Sequence, residues 1–177
     1  GHGVKQSYEN AAEWYEKAAK QGYTGAQCNL GMLYVNGHGV KLSYEKALEW
    51  YRKAAMQGEA RAQYSLGVMY ADGYGVKQSY EKAVEWYGKA AKQGHADAQF
   101  SLGNMYENDH GVKQSYEKAG EWYAKAAKQG HANAQFNLGI MYENGHGVKQ
   151  SYEKAVEWYG KAAKQGHADA QFSLGNM

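Results

Sequence analysis

Residues 75–105 read GVKQSYEKAVEWYGKAAKQGHADAQFSLGNM, and the same letters return at residues 147–177. Outward from this stretch the whole chain keeps one period. Trp14, Trp50, Trp86, Trp122 and Trp158 stand 36 residues apart, as do Val4, Val40, Val76, Val112 and Val148. The 177 residues therefore form a single array of about five units, at 3–38, 39–74, 75–110, 111–146 and 147–177, the last one truncated. A fixed period of this size marks stacked supersecondary units, because one short unit cannot bury its own apolar face.

Each unit reads as two helices. In the third, Ser79 can cap a helix over residues 80–93, its hydroxyl accepting from an orphaned backbone N–H. Ala83, Val84, Trp86, Tyr87, Ala90 and Ala91 form one helical stripe, and Glu81, Glu85, Lys89 and Lys92 occupy the other face. Glu85 precedes Lys89 by four, the favourable order for a helical ion pair. Gly94 is the expected left-handed stop. The second helix spans 96–108, with Ala98, Leu102, Met105 and Tyr106 on one stripe. Gly103 falls inside it, at a cost of about 1 kcal/mol against Ala, yet Gly31, Gly67, Gly139 and Gly175 hold the same place. The missing side chain predicts close approach of a Trp or Tyr. Burying one aromatic is worth about 2–3 kcal/mol, so the five Trp–Tyr pairs are expected to drive the stack. A Gly-rich loop follows, such as Gly145-His146-Gly147-Val148. No strand-like alternation occurs.

Composition narrows the function classes. One Cys, Cys28, excludes an internal disulfide or a Cys-based zinc site. A balance of 20 basic against 18 acidic side chains argues against nucleic-acid binding, and no apolar run is long enough to insert in a membrane. The single Cys, the lack of an Asn-x-Ser/Thr acceptor and the lack of a leader in this stretch lean towards the cytoplasm.

Ala98-Gln99-Phe100-Ser101-Leu102-Gly103, Met105-Tyr106, the Gly-x-Gly-Val loop, Trp86-Tyr87-x-Lys89-Ala90-Ala91 and Gln93-Gly94 resemble the Sel1-like repeat, a relative of the tetratricopeptide repeat. The resemblance covers essentially the whole chain. It implies an all-α, right-handed superhelical solenoid whose concave face serves as a non-catalytic scaffold or adaptor for proteins. The chain departs from the family pattern at Ser7, Ser43, Ser79, Ser115 and Ser151, where the family often has Asp; both are good caps. Asp109 replaces a loop Gly, which predicts local strain. The Cys pairs of secreted bacterial members are absent, which weakens a cell-wall or β-lactam-directed enzyme as a reading.

Five internal copies separate positions the stack requires from positions free to serve a ligand. The variable ones are Gly25/Arg61/Asp97/Asn133/Asp169, Cys28/Tyr64/Phe100/Phe136/Phe172, Met32/Val68/Asn104/Ile140/Asn176 and Val35/Ala71/Glu107/Glu143. Their spacing of three or four places them on one face of the second helix, opposite its apolar stripe. By analogy with tetratricopeptide arrays this face lines the concave wall. Arg61, Tyr64, Val68, Asp97, Phe100, Asn104, Glu107, Asn133, Phe136, Ile140, Glu143, Asp169 and Phe172 are thus the expected partner-binding residues, with Asn108 and Asn144 beside them. The expected ligand is a peptide or helix of mixed apolar and basic character. In the competing reading, the Phe rings pack into the neighbouring unit and only the polar residues face water.

Other chemistry finds little support. His95, His131 and His167 share one repeat position and His38, His110 and His146 another, too far apart across stacked helices to ligate one metal; they are expected to be solvent-exposed loop or helix-start residues. The Gly-x-Gly-Val-Lys loops lack the spacing and the strand of a phosphate loop. No base–orienter grouping activates a Ser, and Cys28 is expected in the groove or core rather than as a nucleophile. No catalytic residue, metal or cofactor is expected. The unpartnered ends suggest a structural alternative, head-to-tail stacking of copies.

Overall fold

The computed structural model describes residues 7–177, so the Val4 loop and the start of the first unit lie outside the described residues. The described residues form ten helices and no strand: α1 Tyr8–Lys20, α2 Thr24–Asn36, α3 Tyr44–Met56, α4 Ala60–Asp72, α5 Tyr80–Lys92, α6 Ala96–Glu107, α7 Tyr116–Lys128, α8 Ala132–Asn144, α9 Tyr152–Lys164 and α10 Ala168–Gly175. The fold is an all-α solenoid of helix pairs. Two compact units divide within α5, after Trp86.

The odd-numbered helices start where a serine can cap them. Ser7, Ser43, Ser79, Ser115 and Ser151 accept the backbone N–H three residues on, from Asn10, Lys46, Lys82, Lys118 and Lys154, each at 3.3 Å. They stop at Gly22, Gly58, Gly94, Gly130 and Gly166, whose φ of +88° to +91° suits glycine alone. Among the described residues Asp109 is the non-glycine residue with positive φ, 59°, at a place where other repeats hold Gly37, Gly73 and Gly145. Its carboxylate accepts the backbone N–H of Gln114 at 2.9 Å, so a local hydrogen bond holds the expected strain.

In the first unit, Tyr51 of α3 is 5% exposed and lies against Gly31 of α2, where an added Cβ would meet the ring at 2.8 Å. In the second unit, Tyr123 covers Gly103 and Tyr159 covers Gly139, at 2.6 and 2.5 Å from the corresponding Cβ positions. The ring that needs the helix glycine is therefore the tyrosine of the next repeat. The tryptophans contribute less than expected. Trp50 packs against the Ala19, Ala26 and Leu30 cluster, and Trp158 against the Ala119–Met141 core cluster, yet both stay partly exposed and Trp14 is 67% exposed. The Lys three residues on, Lys53 and Lys161, lies 4.2 and 3.9 Å from the Trp ring centroid. Lys161 also reaches Glu157 at 2.6 Å, the spacing expected for Glu85 and Lys89.

A glutamine ladder accompanies these contacts. Gln27, Gln99 and Gln135 are buried, and each donates to a carbonyl at the end of the preceding helix, Ala19, Ala91 and Ala127, at 3.1 Å. Their side-chain oxygens accept from Gln57, Gln129 and Gln165 of the following repeat at 2.7–2.8 Å. Among the described residues no buried side-chain nitrogen or oxygen lacks a partner, which avoids the penalty for burying an unpaired polar group.

Two glycine substitutions should move stability in opposite directions. Gly160 of α9 has open space around its Cβ position, so Gly160→Ala should raise stability by up to about 1 kcal/mol. Gly139→Ala forces a methyl into the Tyr159 ring and should lower it by about 1–3 kcal/mol. Urea unfolding midpoints followed by circular dichroism check both signs.

Candidate functional site

The variable face of the even-numbered helices divides into surface and seam. Arg61, Asp97, Asn133 and Asp169, near the helix starts, are exposed. Tyr64, Val68, Phe100, Asn104, Glu107, Phe136, Ile140 and Glu143 are half-buried, and Phe172 in the last helix is 73% exposed. Cys28 is 2% exposed inside the first unit's core, where burial pushes its thiol pKa up; this favours the inert neutral form.

In the first unit, Tyr64 and Val68 line a cleft of about 480 Å³ with Val35, Asn36, Tyr44, Tyr51, Ser65, Met69 and Tyr74. Tyr44 and Tyr74 stack in its wall with centroids 4.9 Å apart. Arg61, one turn before Ser65 on α4, donates to the Asn29 side-chain oxygen at 3.0 Å.

The second unit presents a different wall. Phe100 stacks on the His131 ring at 4.6 Å and tilts against Tyr123 at 5.8 Å; Phe136 does the same with His167 at 4.6 Å and Tyr159 at 5.6 Å. Phe100 and Phe136 therefore form part of the seam between repeats and are half-buried there. The acids below it are engaged as well. The Tyr123 hydroxyl lies 2.6 Å from Glu107 Oε2 and 2.5 Å from Asn104 Oδ1, and the Tyr159 hydroxyl donates to Glu143 Oε2. Burial first, and the carboxylate partner second, push both phenol pKa values well above the usual tyrosine range. A cleft of about 530 Å³ at the end of this unit is lined by Glu143, Tyr152, Glu153, Val156, Asn176 and Met177. Three repeats separate it from the first cleft, so Glu143 and Asn176 stand where Val35 and Val68 stand.

Of the histidines expected in solvent, His38, His110 and His146 are exposed, whereas the three at helix starts prove structural. Nδ1 of His95, His131 and His167 accepts the backbone N–H of Ala98, Ala134 and Ala170 at 3.2–3.4 Å, capping α6, α8 and α10. All three rings are half-buried, because the preceding repeat supplies the stacking phenylalanine for the last two. His131 Nε2 lies 3.3 Å from Asp97 Oδ1, which ties the exposed acid of one repeat to the cap of the next. Sequence reading missed both this cap and the glutamine ladder. Their signal was present as the 36-residue recurrence of His at a helix start and of Gln in Ala-Gln. Among the described residues no group of three or more His, Cys, Asp or Glu could hold a metal, and no helix is long and apolar enough to cross a membrane.

Helix pairs stacked through residues that recur from repeat to repeat define an α-solenoid repeat protein. The chain belongs to the Sel1 repeat family, whose profile matches residues 1–23, 24–59, 60–95, 96–131 and 132–167. These boundaries fall before the even-numbered helices, so each match after the first joins the second helix of one sequence unit to the first helix of the next. Among solved structures, a protective antigen present in uropathogenic Escherichia coli strains and displaying an SLR fold is 41% identical with a TM-score of 0.96, over 99% of this chain and 38% of that one. A Sel1 repeat protein from Oxalobacter formigenes is 36% identical with a TM-score of 0.89, over 97% of this chain and 68% of that one. A Pseudomonas aeruginosa immunity protein is 30% identical with a TM-score of 0.60, over 95% of this chain and 62% of that one. The chain thus spans well under half the length of the Escherichia coli protein it resembles. No curated protein matches at a significant level. Sel1 repeats generally mediate protein–protein interaction.

Alkaline pH tests the buried phenols. Their ionisation is pushed above the ordinary value of 10.0 only in the folded state. Beyond pH 10 the unfolded chain therefore releases protons that the folded chain retains, and stability falls as pH rises. Tyr123→Phe and Tyr159→Phe should flatten this fall in urea titrations between about pH 9 and pH 11. His131→Ala should cost about 0.5–2 kcal/mol of cap energy at neutral pH, read from thermal unfolding.

Proposed function

We propose that this chain is a non-catalytic protein-binding scaffold, and that the variable face of its even-numbered helices takes an extended or helical segment of the partner. The observation that carries this reading is the set of exposed, varying polar residues Arg61, Asp97, Asn133 and Asp169 on the even-numbered helices, beside a core built from residues that recur in the repeats, such as Tyr51, Ala54 and Leu66. The family's general role in protein–protein contact agrees with it. Each unit has its own recognition chemistry. The first offers an apolar, tyrosine-lined cleft beside Arg61. The second offers Asp97, Asn133 and Asp169 beside phenylalanine rings, a wall suited to a basic and apolar segment.

Selection of peptides from a displayed library against the intact chain tests the proposal. Enriched peptides should lose at least about tenfold in affinity when Asp97→Lys and Asp169→Lys, or Arg61→Glu, are introduced, a change of about 1.4 kcal/mol. Glu157→Lys, at an exposed position of α9, should leave them unaffected. Peptides that respond only to Glu157→Lys would overturn the reading.

A second reading is self-association. Trp14 and Tyr23 at one end, 67% and 72% exposed, and Tyr152 and Phe172 at the other, 62% and 73% exposed, occupy positions that neighbouring repeats cover elsewhere. A second copy seated on these rings would cover them. Light scattering that grows with concentration, and that is abolished by Phe172→Glu, would favour this reading over the monomeric scaffold.

A further inference from the structure

The first unit's cleft carries the inference furthest. Its walls are aromatic and aliphatic: Val35 from α2, Tyr44 and Tyr51 from α3, Tyr64, Val68 and Met69 from α4, with Tyr74 closing one side. The Tyr44–Tyr74 stack presents a preformed ring wall, and its volume of about 480 Å³ lies within the usual range for binding sites, about 300–1,000 Å³. Two residues make its lining apolar. Where the second unit has Glu143, whose carboxylate holds the Tyr159 hydroxyl, the first has Val35, and where the second has Asn176, the first has Val68. Tyr51 shares with Tyr159 a hydroxyl interaction from its own repeat, with Ser65 as Tyr159 has with Ser173, but meets no carboxylate.

Charge completes the picture. The variable positions of the first unit are Gly25, Cys28, Met32, Val35, Arg61, Tyr64, Val68 and Ala71, one cation and no acid. Those of the second unit include Asp97, Glu107, Glu143 and Asp169 and no cation. The Arg61 guanidinium spends a donor on a neutral amide, Asn29, and its planar fork of five N–H donors retains the capacity to pair with a carboxylate. Arg61 stands one helical turn before the cleft residues Tyr64 and Ser65 on α4.

We propose that this cleft receives one aromatic side chain of the partner segment while a carboxylate adjacent to it in the partner pairs with Arg61. The inference rests on the scaffold reading and names the chemistry recognised by the first unit. An aromatic ring offers large contact area at low entropic cost and stacks offset or edge-on against tyrosine faces. The Arg–carboxylate pair then selects among aromatic segments by sign, a rim interaction that sets specificity more than affinity.

The test uses three fluorescently labelled, end-capped peptides of one Gly/Ser frame, carrying Trp-Asp, Ala-Asp or Trp-Lys, titrated against the intact chain. Trp-Asp should bind at least about tenfold tighter than either of the others. The double variant Val35→Glu/Val68→Asn places in the cleft residues this fold already carries at Glu143 and Asn176, so it should keep its helicity; it should lose the preference for Trp over Ala. Arg61→Asp, the residue found at Asp97 and Asp169, should leave helicity unchanged and turn the preference from Trp-Asp to Trp-Lys. The proposal is overturned by equal binding of the three peptides to the wild-type chain, or by a Trp-Asp preference that survives both variants. If library-selected peptides respond to Asp97→Lys and Asp169→Lys while the three probes bind alike, the scaffold reading stands and this inference alone falls. If the probes behave as stated while library-selected peptides follow Glu157→Lys, the broader reading fails and the cleft remains.

Discussion

The stack depends on a tyrosine ring lying directly on the backbone of a helix in the preceding repeat. Tyr123 on Gly103 and Tyr159 on Gly139 are almost wholly buried, and neither ring could come so close if the helix carried a Cβ there. A glycine inside a helix is unfavourable by itself, so the repeat gives up local propensity to gain an inter-repeat contact. Burying each tyrosine is worth about 1.5–3 kcal/mol, which outweighs that loss. The contact also fixes register, because the phenol must end beside an acceptor: Glu107 and Asn104 in one seam, Glu143 in the next.

Polar groups give the seam its specificity. An apolar interface between near-identical helix pairs could slide, whereas the Gln27–Gln57, Gln99–Gln129 and Gln135–Gln165 pairs, at 2.7–2.8 Å, satisfy their amides in one alignment. A slipped repeat would bury those amides unpaired, at about 1–3 kcal/mol each. The same residues that build the seam shape the clefts beside it, so the chemistry offered to a partner varies with substitutions such as Val35 for a glutamate while the stack is preserved.

Much of this was legible in the letters. The period, the serine caps, the glycine stops at Gly22 and its equivalents, and the demand for a bulky ring at Gly103 all follow from local rules. The tyrosine could not be told from the tryptophan, because the two are adjacent and only packing decides which faces the neighbouring backbone. The helix-start histidines, unlike His38, His110 and His146, are not solvent-exposed as expected, for a related reason: a half-buried cap such as His131 is covered by a phenylalanine 31 residues earlier. Phe100 and Phe136 occupy variable-face positions as expected, yet their rings are shared between surface and seam.

The sequence by itself determined that the chain is helical, that it repeats, and which helix face varies, since these are properties of short windows and of self-comparison. Only the tertiary structure decided which aromatic is buried, which acids are already held by a phenol, and where an open cleft remains. Those outcomes depend on side chains from two successive repeats meeting at a few ångströms, and no periodicity within one helix encodes that meeting.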